Sequence, residues 1–212
     1  MQIDIESKMI YVHIPRTGGS WFSYAWPNQW DKQFFLQKHK FGRHGQLSGI
    51  LKKLDEVEFD YSDYKIVTII REPIDRIVSA WGYYNETKDT AKRHGWKSID
   101  DMLDEYESGK VKAHYLPQTY WLCEPDAKFD VIYRFEDLLK RPKKPREQFP
   151  KFNTKLKFPK KLVRGMKDRT SRINYHQVQR IKKLYKDDVE YLSKYYYKYF
   201  LLILFVPFES IF

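Results

Sequence analysis

Residues 65–70, KIVTII, make a nearly unbroken apolar, β-branched run that stops at a charged residue, Arg71. Such a run suits a strand buried on both faces, as in a parallel sheet. The next residues are equally constrained. Pro73 fits the first turn of a helix, where its missing N–H is no loss. Ile74, Ile77, Val78 and Trp81 then recur at i, i+3, i+4 and i+7, which is one apolar helical face. Arg76 and Ser79, three apart, share a neighbouring face. The expected order over 64–84 is strand, short turn, helix.

The same order is expected earlier in the chain. KMIYVHI (8–14) reads as a short buried strand, and Pro15 cannot continue a central ladder. Gly18 and Gly19 allow a tight turn, and a helix can start from Ser20, near its first turn, through SWFSYAW. A strand–glycine turn–helix start aims several backbone N–H groups at one spot, which suits an anion. Arg16 adds a fixed charge, and Thr17 and Ser20 add hydroxyls. The segment is not a Walker A loop: the first glycine and the lysine of G-x-x-x-x-G-K-[ST] are missing. Taken alone, it fits an ordinary Gly-Gly turn equally well. In an open parallel sheet, ligands sit beyond the carboxyl ends of the strands. Arg16 and Arg71 stand at two such ends and Ser79 can lean over the same crevice, so the implied ligand has phosphates at two separate places. The competing reading of Arg71 is an ion pair with Glu72 or Asp75. Arg76, inside the helix beside Asp75, fits that reading better.

With 212 residues the chain is long enough for one domain with a real core, and its net charge of +11 draws polyanions. Its 17 tyrosines beside so many cations suit nucleic acids and sugars alike. Cys123 is the sole cysteine, so no intramolecular disulfide forms and the redox compartment is not legible. MQIDIESKMIYV lacks the form of a signal peptide. The apolar run YFLLILFVPF (199–208) contains a proline and is too short to span a bilayer. It is expected to be a buried terminal strand, with an interfacial membrane contact as the alternative. The chain is therefore expected to be soluble, and cytoplasmic by default. KRPKKPREQFPKFNTKLKFPKK (140–161) reads as an exposed basic excursion. SIDDMLDEYESG (98–109) reads as a capped helix, with Ser98 at its start, Asp101 three residues on and Gly109 past its end. No His/Cys/carboxylate set has metal spacing, and no metal is expected.

HIPRTGGSWF, followed about 55 residues later by IIREPIDRIVSAW, resembles the sulfotransferases that use 3′-phosphoadenosine-5′-phosphosulfate. The wording is closest to the carbohydrate branch, similar to the heparan-sulfate 2-O-sulfotransferase family and its short microbial and viral-type relatives. HYLPQTYWL (114–122), FDVIYRFEDLLKR (129–141) and NYHQVQRIKKLYKDDVEYL (174–192) resemble that family's acceptor-side segment, third core strand with its helix, and last helix. The resemblance spans roughly residues 8–195 of a single 1–212 domain. It implies an α/β, P-loop-like fold with a mainly parallel central sheet flanked by helices. It also implies that Arg16, Thr17, Gly18, Gly19, Ser20 and Trp21 hold the 5′-phosphosulfate, that Arg71 and Ser79 hold the 3′-phosphate, and that Arg169, in RGMKDRTSRINYHQ (164–177), belongs to a loop closing over the adenine and 3′-phosphate. The product would be 3′,5′-adenosine bisphosphate. The acceptor would be a hydroxyl on a saccharide, with the +11 charge leaning toward an acidic one, and His114 and Gln118 on its side.

The family usually has lysine where this chain has Arg16, and the two cations are not interchangeable. That departure bears on the rate of transfer, and it keeps open a fold that binds cofactor without turnover. In-line sulfuryl transfer needs positioning and charge stabilisation, as phosphoryl transfer does. It also needs a base for the acceptor hydroxyl. The chain has six histidines. His13 lies in the first strand and reads as a core or near-site structural residue, His94 suits a solvated turn, and His176 begins the last helix. His39 and His44 lie in the interval where the family places its base, and RHGQL makes His44 the better match; a surface-loop histidine is the alternative. Two other functions fit parts of the sequence. A P-loop-like kinase needs a Walker lysine and an acidic magnesium ligand, neither of which is clear. A basic nucleic-acid- or polyanion-binding domain explains the charge but not the paired motifs.

Overall fold

The computed structural model describes residues 2–5, 7–19, 22, 44–86, 94–122, 128–140 and 173–204. Ser20, Trp21, His39, Cys123, Arg169, the excursion from 141 to 161 and the tail from 205 onward lie outside them.

The apolar runs form the strands. β1 (Gln2–Asp4), β2 (Met9–Val12), β3 (Lys65–Ile70) and β4 (Val131–Arg134) make a four-stranded sheet in that order. β1 is an antiparallel edge on β2, while β2–β3 and β3–β4 pair in parallel. The fold is α/β, with the mainly parallel sheet that KIVTII implies. Register alternates the side chains between faces. Tyr11 pairs with Val67 and Ile69 with Tyr133, and all four pack with Phe22, Phe135 and Leu138 on one side. Ile10 and Val12 point the other way, onto Leu47, Ile50 and Leu54 of α1 (Leu47–Glu56).

α2 (Pro73–Glu86) starts at the expected proline, and Ile77 and Val78 are buried with Ile74 and Trp81 packed against them. α3 (Ile99–Glu107) carries the expected capping box of Ser98 and Asp101. A short 3-10 turn (Ala113–Tyr115) and α4 (Gln118–Leu122) cross to β4, which runs into α5 (Phe135–Lys140). The last helical segment is two helices, α6 (Tyr175–Leu184) and α7 (Lys186–Leu204). They break at Tyr185, whose hydroxyl donates to the Tyr115 carbonyl at 2.7 Å. Arg180 of α6 pairs with Asp100, Asp104 and Glu107 of α3.

Two expectations are corrected. Residues 199–204 are the end of α7 and not a strand. A helix already propagating from Lys186 extends through leucines at little cost, whereas a new strand would need an unpaired sheet edge. His94 is not in a solvated turn. Its side chain is 16% exposed, 3.7 Å from Glu105, and its ring lies 4.2 Å from that of Trp96.

Candidate active site

Because β2, β3 and β4 run in parallel, their carboxyl ends share one edge, and Arg16, Arg71 and Phe135 follow those ends. The loop after β2 is held from behind. The Thr17 hydroxyl donates to the Ile14 carbonyl at 2.9 Å. Arg76 Nε donates to the Pro15 carbonyl at 3.1 Å, and Arg71 Nη1 to the Arg16 carbonyl at 3.2 Å. The turn is strained: Arg16 has φ +69° and Gly18 φ +90°. A Cβ on Gly18 would lie 2.6 Å from the Phe135 ring, and one on Gly19 would lie 2.0 Å from the His13 ring. Only glycines let the backbone pass between those rings. Phe22 N–H donates to the Gly18 carbonyl at 3.1 Å.

The two arginines and the serine meet. Arg16 Nε and Nη2 donate to Ser79 Oγ at 3.3 and 3.1 Å, and the guanidinium lies 4.7 Å from the centre of the Tyr83 ring. Arg71, 5% exposed, stacks on Phe135 at 4.7 Å. Its backbone is clamped by Gln118: Arg71 N–H donates to Oε1 at 2.9 Å, and Gln118 Nε2 donates to the Arg71 carbonyl at 2.7 Å. The Gln118 side chain therefore fixes the carboxyl end of β3 from a wholly buried position.

Arg76 is ion-paired, as the sequence suggested, but with Asp188 of α7 at 4.0 Å and not with Asp75. Asp75 lies one residue away on a helix, a spacing that does not bring side chains face to face. Both charges of the pair are fully buried. Burial pushes the Asp188 carboxyl up and the Arg76 guanidinium down, and their attraction pushes each back. Asp188 also accepts from Gln118 N–H at 2.7 Å and Thr119 N–H at 2.8 Å. Arg76 Nη2 reaches the carbonyls of His114 and Leu116. One buried guanidinium thus ties the glycine loop, the 113–118 segment and α7 together.

Three of the described histidines gather beside this cluster. The His44 ring lies 4.5 Å from that of His13 and 5.6 Å from that of His114. His44 Nδ1 is 3.2 Å from the His13 carbonyl. A carbonyl only accepts, so Nδ1 is the ring nitrogen that donates in this contact. His114 Nδ1 is 2.8 Å from the Tyr84 hydroxyl, and its ring lies 4.7 Å from that of Tyr83.

A family model described as "Sulfotransferase family" matches residues 1–202. The chain belongs to the sulfotransferase family. No curated protein matches it. In this sulfotransferase, Arg16, Thr17, Gly18, Gly19, His44, Arg71, Ser79, His114 and Gln118 lie around one sheet edge. The sequence pattern did not single out Tyr83 or Asp188 for the site. Tyr83 had a signal, because it is i+4 from Ser79 and so shares its helical face. Asp188 had none, since its partner comes from a distant segment. Among the described residues, no group of three His/Cys/Asp/Glu is placed to hold a metal, and no helix is long and apolar enough to cross a membrane.

Proposed function

We propose that this sulfotransferase moves the sulfuryl group of 3′-phosphoadenosine-5′-phosphosulfate to a saccharide hydroxyl, with His44 as general base. The carrying observation is the contact of His44 Nδ1 with the His13 carbonyl at 3.2 Å, which orients the ring and makes Nε2 the nitrogen for proton transfer in this reading. The residues present fit the cofactor. The loop carbonyls of Ile14, Pro15 and Arg16 are engaged by side chains behind them. Turned-back carbonyls leave the N–H groups of such a turn for the 5′-phosphosulfate. Arg16 stands beside it, and Arg71 with Ser79 serves the 3′-phosphate, Ser79 being held by Arg16 until the cofactor arrives.

When bound, the cofactor supplies the sulfuryl group and a phosphate leaving group. Arg16 meets the charge developing on that phosphate, and the turn fixes the direction of attack. His44 Nε2 accepts the proton of the acceptor hydroxyl. His114, held by Tyr84, lines the acceptor side. Gln118, expected on the acceptor side, is wholly buried with its side chain on the Arg71 backbone, and so acts behind Arg71 as a positioning residue. Ser20, Trp21 and Arg169 complete the cradle in this reading, and the whole 1–212 chain works as one domain. The net charge of +11 favours an acidic saccharide.

Calorimetry with 3′,5′-adenosine bisphosphate, beside 5′-AMP and ATP, tests the cofactor. Binding is expected to require the 3′-phosphate and to weaken by about 2–3 kcal/mol in Arg71→Ala, as loss of a charged hydrogen bond does. His44→Ala is expected to bind the bisphosphate normally and to lose transfer to a saccharide panel by about 10²–10⁴-fold. No preference for the bisphosphate over AMP and ATP would overturn the cofactor, and full transfer by His44→Ala would overturn the base.

A further inference from the structure

Arg16 stands where the resembling family usually has a lysine, and the structure contains a feature that suits an arginine in particular. The guanidinium meets a hydroxyl along one edge and an aromatic ring beside it. The edge, Nε with Nη2, converges on Ser79 Oγ at 3.3 and 3.1 Å. The guanidinium carbon lies over the Tyr83 ring, 4.7 Å from its centre. Ser79 and Tyr83 are i, i+4 on α2, so the helix itself sets the spacing of the two grips. A planar, delocalised guanidinium can use both at once, whereas an ammonium is a point charge with neither edge nor plane. Arg16 also stands on a strained backbone at φ +69°, so its side chain leaves the loop from an unusual direction.

Tyr83 is itself held in place. Its ring meets His114 at 4.7 Å with 44° between the planes, and Tyr84 edge-on at 5.2 Å and 71°. The Tyr84 hydroxyl is 2.8 Å from His114 Nδ1, and the His114 ring is 5.6 Å from that of His44. The Tyr83 ring therefore stands between the cation on the donor side and the histidines on the acceptor side. It cannot tip without moving one or the other.

We propose that Tyr83 is the positioning residue that makes Arg16 the working cation of this sulfotransferase. The proposal rests on the reading that Arg16 serves the leaving phosphate. Tyr83 and Ser79 freeze the long side chain before the cofactor arrives, so little ordering remains for the transfer step. It follows that Arg16→Lys is a loss in this scaffold, and that the contribution of Tyr83 to breaking the sulfur–phosphate bond depends on the arginine at position 16.

The test uses the full chain and needs no knowledge of the acceptor. Slow hydrolysis of 3′-phosphoadenosine-5′-phosphosulfate breaks the bond from sulfur to the phosphate oxygen and forms one to water. The products are sulfate, 3′,5′-adenosine bisphosphate and the protons of that water. Its kcat and KM are measured for wild type, Tyr83→Phe, Tyr83→Leu, Arg16→Lys and Arg16→Lys/Tyr83→Leu, each with a thermal melt. Tyr83→Leu is expected to lower kcat about tenfold with a smaller change in KM, the scale of a lost cation–π contact. Tyr83→Phe, which keeps the ring, is expected within about twofold of wild type. The double variant is expected to be no slower than Arg16→Lys alone. Additive losses, or equal losses in Tyr83→Phe and Tyr83→Leu, would overturn the role of Tyr83. Absence of bisphosphate binding to wild type would instead overturn the cofactor reading beneath it.

Discussion

Gly19 and Gly49 show how far the meaning of a glycine depends on what surrounds its missing side chain. A Cβ on Gly19 would lie 2.0 Å from the His13 ring and 2.7 Å from the Tyr11 hydroxyl. A Cβ on Gly49, in α1, would meet nothing within 4 Å. The same substitution therefore has opposite signs at the two places. Gly19→Ala must displace the His13 ring, whose carbonyl holds His44, and forced overpacking costs about 1–3 kcal/mol. Gly49→Ala removes backbone entropy from the unfolded chain and is expected to stabilise α1 by about 0.5–1 kcal/mol. Denaturant unfolding of the two variants checks the signs, and bisphosphate binding, expected to weaken only in Gly19→Ala, checks the site. A destabilised Gly49→Ala, or an unperturbed Gly19→Ala, would contradict this packing.

At the scale of elements, the buried pair of Arg76 and Asp188 does what no local pattern can. It joins α2 to α7 while Arg76 also holds the Pro15 carbonyl. Removing one partner leaves a buried charge alone, which costs about 3–5 kcal/mol. Asp188→Ala is therefore expected to lose that much in chemical denaturation, and a loss below about 1 kcal/mol would mean that the pair is not charged in the folded state. Much of the frame was legible in sequence because it is locally encoded. The β-branched run KIVTII, Pro73 at the start of α2 and Ser98 with Asp101 at the start of α3 each act within a few residues. The two glycines and Arg16, Arg71 and Ser79 were legible for the same reason, since each sits at a fixed offset from a strand end. Asp188, the Tyr83 ring and the clamp of Gln118 on Arg71 were not, because they depend on which distant segments the sheet brings together. The apolar residues 199–204 misled for the converse reason. Composition alone cannot tell a short strand from the last turns of a helix, and α7 arrives there already formed.

Across the whole molecule, the carboxyl ends of β3 and β4 are closed by two neighbouring carboxyls. Glu72 N–H donates to Glu136 Oε1 at 3.0 Å, Glu72 Oε2 accepts from Asp75 N–H at 2.7 Å, and the Tyr196 hydroxyl of α7 donates to Glu136 Oε2 at 2.9 Å. This small network links sheet, α2, α5 and the last helix. Burial, only partly offset by the Asp75 N–H and reinforced by the Asp75 and Glu136 charges, pushes the Glu72 carboxyl up to about 7. Its ordinary value is 4.5. Below pH 4.5 the group is protonated whether the chain is folded or not, and it contributes no pH dependence. Between about 4.5 and 7 the unfolded chain ionises while the folded chain holds its proton, so the unfolded state binds fewer protons and stability falls as pH rises. Above 7 the loss is complete, at most about 3 kcal/mol, because Glu72 keeps partial contact with solvent. Burial shifts Glu136 and Asp75 in the same direction. Glu72→Gln retains an acceptor for Asp75 N–H and cannot ionise. Its unfolding free energy is expected to decline less than that of wild type between pH 5 and 8, with the larger gain at pH 8. Equal slopes for the two proteins would show that Glu72 titrates like an exposed carboxyl and that the closed end of the sheet is wetter than its hydrogen bonds imply.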